Sequence, residues 1–305
     1  MNLHSPSNRQ LTTWRKLHQK KHRQKSGLFL AEGIRCVEQL LRNQRIEIEA
    51  LLQAGKPDWK PEEGMNIPLY ELRDEDFQSI VDTETPQGVA AICHIPNMPE
   101  PEELVNRKGV MVAVDALQDP GNLGTILRTA VWFGAAGLLC GSGTVDPWHP
   151  KVVRSTAGAT GALPVISGDL NPLLDTFEGE GWNVILLDSG EGSMSLQSLA
   201  GEGRSQFGGK TGSQSSEDGG SLVSGKKRLQ SGEEQLLAGE EGHSQSAGEG
   251  LPDRPLIVIG SEAHGVNPDL FRNERRRIRI EGVQNAVESL NAAVAAGIAL
   301  YELAR

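Results

Sequence analysis

VESLNAAVAAGIALYEL, residues 287–303, is the stretch whose reading decides the rest of the chain. Glu288, Ser289 and Asn291 stand directly before a run of small and apolar residues. Ser289 is a candidate N-cap, its hydroxyl taking one of the backbone N–H groups left over at a helix start. Residues 292–300 are apolar on every side of a helical projection, which is the pattern of a buried helix. The stretch alone reads either as a capped core helix or as a polar cluster held at the mouth of one, where it could meet a ligand.

Two upstream segments bear on that choice. LIVIG (256–260) is a short apolar run of the kind found in buried parallel strands, and it leads into SEAHGVNPDLF (261–271). Further upstream, an apolar strand at 109–114 ends at Asp115 and is followed by ALQDPGNLGTILRTAVWFGAAGLLC (116–140). Here a turn is expected at Pro120-Gly121-Asn122, then a helix over 123–133 and a strand over 137–140. Together these make a β-α-β unit. The glycine-containing turn lacks the G-x-G-x-x-G spacing of a dinucleotide fold. Further strands are expected at 163–166, 182–187 and 278–280.

The first hundred residues read as a smaller α/β module. A basic helical pattern opens it, with Trp14 and Leu17 on one face. FLAEGIRCVEQLL (29–41) then gives a second helix with Ile34, Val37, Leu40 and Leu41 inward. Strands are expected at 46–52, 68–72 and 89–95, and a short helix at 74–81. Pro96, Pro99 and Pro101 punctuate the chain after that. The organisation expected is therefore a domain at 1–98, a linker at 99–108 and a second domain at 109–305. A stretch at about 189–250 is Gly-, Ser- and Glu-rich and has too little apolar surface to offset its ordering entropy, so a disordered insertion is expected there. Gly209-Lys210-Thr211 within it fails the spacing of a phosphate-binding loop.

The chain of 305 residues carries 30 Lys and Arg against 40 Asp and Glu, a net charge of −10 that argues against nucleic acid as a partner until its distribution is considered. No acidic residue occurs over 1–31, where Arg15, Lys20, Lys21 and Arg23 are candidate phosphate ligands. PWHPKVVRSTAGA (147–159) adds Lys151 and Arg154 beside Trp148, an aromatic-and-cation mixture that suits an RNA surface, although composition alone favours a plain surface loop. The run at 275–277 reads as a solvated basic face. Cys36, Cys93 and Cys140 fit no metal or disulfide spacing and read as thiols of a reducing cytoplasm. No metal site, apolar leader or membrane-spanning run is expected.

Taken in order, Asn122, Gly124, Arg128 and Thr129, then Gly260, Glu262 and Gly265, then Ser289, Leu290 and Asn291 resemble the three motifs of the SpoU (TrmH-like) RNA 2′-O-ribose methyltransferases of the SPOUT superfamily. FLAEGIRCVEQLL and DTETPQGVAAI (82–92) resemble that family's L30e-like substrate-binding domain. The resemblance implies an α/β fold with a parallel sheet, tied in a C-terminal trefoil knot. It also implies a homodimer, S-adenosylmethionine as methyl donor, and RNA as substrate, ribosomal before transfer RNA. An inactive RNA-binding protein of the same fold is the alternative class. Carried over, Gly260, Ile280 and Leu290 would line the cofactor. Arg128 would be central to the chemistry, with Asn122, Glu262, Ser289 and Asn291 around it. Glu281 follows Ile280 where the family usually has proline.

Overall fold

A computed structural model describes residues 3–62, 64–199, 252–272, 274–283 and 289–304. The chain begins with strand β1 (Leu3–His4) and helix α1 (Asn8–Arg15). Ser7 and Gln10 form a reciprocal capping box at the start of α1. A 3-10 turn at Lys16–His18 leads to α2 (Lys20–Ser26), and then β2 (Leu28–Glu32) and α3 (Ile34–Asn43) follow. Next come β3 (Ile48–Ala54), β4 (Leu69–Leu72), α4 (Asp74–Gln78) and β5 (Val89–His94). The five strands form one mixed sheet in the order β1-β4-β3-β5-β2. Trp14, Leu17, Phe77 and Ile80 cover one face of it, against Leu30, Leu52 and Ile92. Val37 and Leu40 of α3 cover the other, against Phe29, Leu51 and Ala91. The period-2 alternation along the strands supplies both faces.

The second unit starts earlier than the proline-rich linker suggested. Within 99–108, helix α5 (Pro101–Leu104) buries Leu104, and Val105 beside it, in the core of the following sheet. The elements after it are β6 (Met111–Val114), α6 (Pro120–Trp132), β7 (Gly137–Gly141), α7 (Pro150–Ser155), β8 (Val165–Gly168), α8 (Leu170–Gly179) and β9 (Asn183–Leu187). Strand β10 (Met194–Ser195), α9 (Leu196–Leu199), β11 (Pro255–Ile259), β12 (Arg276–Arg279) and α10 (Ala292–Leu303) follow among the described residues. All seven strands are parallel, in the order β10-β12-β9-β11-β6-β7-β8.

Helices cover this sheet on both sides, as an all-parallel sheet requires. Val112, Val114, Ile257 and Ile259 face Leu123, Ile126, Ala296 and Leu300 of α6 and α10. Met111, Ala113, Leu186 and Val258 face Leu170, Leu174 and Phe177 of α8. Helix α8 is an element that the strand-centred reading of the sequence passed over. Its signal was present: Asp169 caps it, and Leu170, Leu174 and Phe177 recur at helical spacing.

Other expectations change at particular residues. Leu196 and Leu199 are buried in the α6/α10 core, and Met194–Ser195 pairs with β12. The opening of the stretch expected to be disordered is thus part of the sheet. Residues 200–251, including Gly209-Lys210-Thr211, lie outside the described residues. Nor is the run at 275–277 a solvated face. The Arg275 side chain is buried, donating to Glu178 (2.8 Å) and Asp175 (3.0 Å). Arg277 donates from Nε to Asp188 at 2.7 Å.

The two units meet along α3, α7 and the loops beside them. Trp148 packs against Phe29 with the rings tilted and their centroids 5.1 Å apart, and Val153 joins the α3-side core of the first sheet. Trp148 is therefore interface packing and not an open platform for bases. Two ion pairs flank that apolar contact. Arg23 is 1% exposed and donates from Nε to Asp146 at 2.9 Å, with Nη1 on the Leu17 carbonyl at 2.7 Å. Arg154 is bound by the buried Glu32, which also accepts from the Asp82 amide (2.8 Å) and the Thr83 hydroxyl. Gly158 adopts φ +93°, and a Cβ there would lie 2.2 Å from Cβ of Gln39, so the seam requires glycine.

Candidate active site

Three loops at the carboxyl edge of the parallel sheet converge on one side chain, Asn122. The first is the start of α6. Pro120 is already helical at the first position, and the Asp119 carboxylate accepts the Asn122 N–H at 2.7 Å as N-cap. The turn expected at 120–122 is thus the first turn of the helix itself. Asp119 fixes Asn122, and the Asp-Pro pair is the sequence signal that would have shown it. Gly124, in the next turn, is buried. A Cβ there would come within 2.4 Å of Ser155, so this glycine lets α6 and α7 pack closely.

The second loop follows β11. Ser261 and Gly265 exchange two backbone hydrogen bonds, at 2.9 and 3.0 Å, and Gly265 turns the chain at φ +69°. A Cβ on Gly260 would lie 2.0 Å from the Gly265 carbonyl carbon. Gly260 was expected to let a ligand approach the main chain, but its first requirement is the closing of this loop. Glu262 rides on that closed loop and accepts from the Asn122 side-chain amide at 2.7 Å.

The third loop opens α10. Asn291, and not Ser289, is the N-cap. Its Oδ1 accepts the N–H groups of Ala293 (3.0 Å) and Val294 (3.3 Å), while its Nδ2 donates to Asn122 Oδ1 at 3.0 Å. Ser289 is exposed. Asn122 therefore donates to Glu262 and accepts from Asn291, joining residues 140 and 169 positions away in sequence. Helix α10 is not buried on all sides. Val294, Ile298 and Tyr301 form an exposed stripe along it, with Tyr301 49% exposed, and Trp132 at the end of α6 is 84% exposed.

Arg128 is exposed on α6, one turn before Trp132, and makes no hydrogen bond or ion pair among the described residues. Gly260 and Leu290 each lie within two residues of a member of the trio, at Glu262 and Asn291. Ile280 directly follows β12 and packs partly buried against the α6/α10 core, and Leu290 is half exposed. Strands β11 and β12 flank β9, so Gly260 and Ile280 stand roughly 10 Å apart by strand spacing. Apolar side chains on either side of a main-chain loop fit a flat heteroaromatic ligand. Residues 284–288, between them in sequence, lie outside the described residues.

The candidate RNA ligands divide. Lys20, Lys21 and Lys151 are exposed. Arg15 is partly engaged, donating to Asp76 at 2.6 Å and to Ser79 at 2.8 Å. Arg23 and Arg154 are the seam ties described above, so their charge is compensated within the protein. No helix among the described residues is long and apolar enough to cross a membrane.

Known proteins resemble this chain in sequence and fold. Residues 8–91 match the model of the MRM3-like substrate binding domain, and residues 109–207 and 221–301 match that of the SpoU rRNA Methylase family. The 23S rRNA (guanosine(2553)-2′-O)-methyltransferase RlmP of Bacillus subtilis is 36% identical over 182 residues, 60% of this chain and 71% of that protein. A solved protein of the TrmH family of RNA methyltransferases, from Porphyromonas gingivalis, superposes with a TM-score of 0.68 at 26% identity, covering 98% of each chain. An AdoMet-bound rRNA methyltransferase from Sinorhizobium meliloti shares the fold, with a TM-score of 0.69 at 23% identity over 99% of this chain and 97% of that one. With its own model matched over more than half of its length, the chain belongs to the SpoU rRNA methylase family.

Proposed function

We propose that this methyltransferase moves the methyl group of S-adenosylmethionine to a ribose 2′-hydroxyl of ribosomal RNA. The observation that carries the reading is the hydrogen-bonded trio of Glu262, Asn122 and Asn291 on the same helix start that leads to Arg128, exposed and without a partner among the described residues. Ile280, Leu290 and the main chain at Gly260 would hold the cofactor, which supplies an electrophilic methyl group on a sulfonium. The Sinorhizobium protein of the same fold is AdoMet-bound, and the Bacillus relative is named for 2′-O-methylation of a guanosine in 23S rRNA.

The chain's own residues then have to place a sugar hydroxyl in line with that methyl. Positioning of this kind is worth several kcal/mol, about 7–11 at its limit. Arg128 suits the RNA phosphate beside the target ribose, because a guanidinium offers two parallel N–H donors to phosphate oxygens. It does not suit the role of base, since arginine stays protonated in proteins. Asn122 is locked by Glu262 and Asn291, so its orientation toward the ribose costs no reordering when RNA binds. Ser289, exposed one residue before Leu290, would meet the same phosphate.

Lys20, Lys21 and Lys151 are the open cations for the rest of the RNA. The uncovered stripe of Val294, Ile298 and Tyr301, with Trp132, supports a homodimer, because an exposed apolar face of this kind marks an association surface. Arg128 borders that stripe, so a second copy seated on it would help enclose the reaction centre. A C-terminal trefoil knot and a cytoplasmic location belong to the same reading.

The test is transfer of labelled methyl to RNA from cells deleted for the gene, offered free and as ribosomal particles. Wild-type protein incorporates label, and Arg128→Ala loses at least about 100-fold in kcat/KM, the scale of one lost charge contact in a transition state. Its melting temperature stays at the wild-type value. Equal incorporation by the two proteins removes Arg128 from the mechanism.

A further inference from the structure

A second cavity, of about 340 Å³, opens at the carboxyl edge of the parallel sheet, beside the loop that carries Glu262. Asp115 follows β6, Ser142 follows β7, Asp169 follows β8, and Ser261 and His264 come from the loop after β11; Asn171 completes the polar lining. Ligands of open parallel sheets bind outside the carboxyl ends of the strands, and this cavity is of that kind. It shares its loop with the trio but none of the trio's residues.

The lining selects a chemical class. No lysine or arginine lines the cavity, and two carboxylates do, so it does not suit phosphate. One oxygen of each carboxylate is engaged: Asp115 Oδ2 accepts the Asn267 N–H at 2.7 Å, and Asp169 Oδ1 accepts the Asn171 N–H at 3.0 Å. The remaining oxygen of each has no hydrogen-bond partner among the described residues and is left to accept from a ligand. The Ser142 and Ser261 hydroxyls, the Asn171 amide and the His264 imidazole offer donors beside them. A ligand that fits presents N–H donors to the carboxylates together with acceptors and carries no negative charge. RNA bases that are unstacked from their neighbours are read in this manner, on the Watson–Crick edge. Guanine is the base whose edge offers two neighbouring N–H donors, at N1 and N2.

We infer that this cavity seats the base of the methylated nucleotide and selects guanine through Asp169 and Asp115, while the ribose lies at the trio. The inference rests on the ribose-methylation reading and adds the residues that decide which nucleotide is taken. Asp169→Asn and Asp115→Asn are the informative changes. Asparagine still accepts the amide that each aspartate now holds, and at 169 it remains a good N-cap, so both variants keep their local folds.

Labelled RNA from the transfer assay is digested to nucleosides and separated. The label is expected in 2′-O-methylguanosine. Each variant is expected to lose at least about tenfold in kcat/KM for RNA, the scale of about 1.4 kcal/mol for a lost base contact. S-adenosylmethionine affinity, read by calorimetry, and melting temperature stay at wild-type values. Label in 2′-O-methyluridine, or in any other nucleoside, overturns the inference. So does label in guanosine with both variants at the wild-type rate, and that result leaves the ribose-methylation reading standing. Absence of transfer by the wild type to free RNA and particles alike overturns both.

Discussion

The seam between the two sheets and the trio around Asn122 are both built from polar side chains, and they treat charge in opposite ways. At the seam, Arg23 is buried on Asp146 and the Leu17 carbonyl, and Arg154 is bound by Glu32. Both of these guanidinium groups face protein acceptors. At the trio, the bonds run between amides and one carboxylate, and Arg128 stands exposed with no partner among the described residues. A guanidinium satisfied by its own chain fixes geometry, whereas one left open is available to a phosphate. Composition treats the three arginines alike. Only the fold separates the two that join domains from the one left exposed.

The comparison is broken most forcefully at Arg23. Arg23→Ala leaves Asp146 without its counter-charge and the Leu17 carbonyl without a donor, which costs about 3–5 kcal/mol for a buried pair. Urea denaturation measures it. Arg23→Leu combined with Asp146→Leu removes both charges and should recover most of that loss, because the pair itself contributes little beyond an apolar replacement. A single variant within about 0.5 kcal/mol of wild type, the range of ordinary surface changes, would show that the seam does not depend on this tie.

The trio responds on a smaller scale and divides into two functions. Asn291 both caps α10 and holds Asn122. Asn291→Ala loses the cap, about 1 kcal/mol of stability, and the Asn122 contact as well. Asn291→Asp keeps the cap acceptor but places a carboxylate against the Asn122 oxygen. It should retain wild-type stability and still lose methyl transfer. If Asn291→Asp transfers methyl normally, the bond to Asn122 is support for the loop and no more.

Much of this fold was legible because period and punctuation agreed. Strands β6, β7 and β11 were visible as short apolar runs, and α3 as Ile34, Val37 and Leu40 at helical spacing. Asn122, Glu262 and Asn291 were named from their motifs, and the structure brings those three together. What failed depended on partners far along the chain. Arg275 reads as solvated until α8 places Asp175 and Glu178 against it, and Trp148 reads as an RNA platform until Phe29 covers it. The cap at Asn291 was misplaced by two residues because serine and asparagine cap equally well and only geometry decides between them. Helix α10 looked buried all round because hydrophobicity does not report whether a neighbour is present, and in the single chain one side has none.

The finest test of the seam is its response to acid at His149. Its imidazole Nδ1 accepts the Lys151 N–H at 3.2 Å as the N-cap of α7, which needs that nitrogen unprotonated. Burial lowers the His149 pKa below the usual histidine value of 6.5, and the nearby Arg23 guanidinium lowers it further. The folded state thus prefers the neutral ring more strongly than the unfolded state does. That contribution is complete above the unfolded pKa and is lost as pH falls through the folded value. Between about pH 7.5 and about pH 5, wild-type protein should therefore lose more of its melting temperature than His149→Asn, whose amide oxygen still caps α7 and does not titrate. The difference between the two slopes is the smallest effect expected here. Parallel slopes would mean that the capping ring is not the group that senses acid.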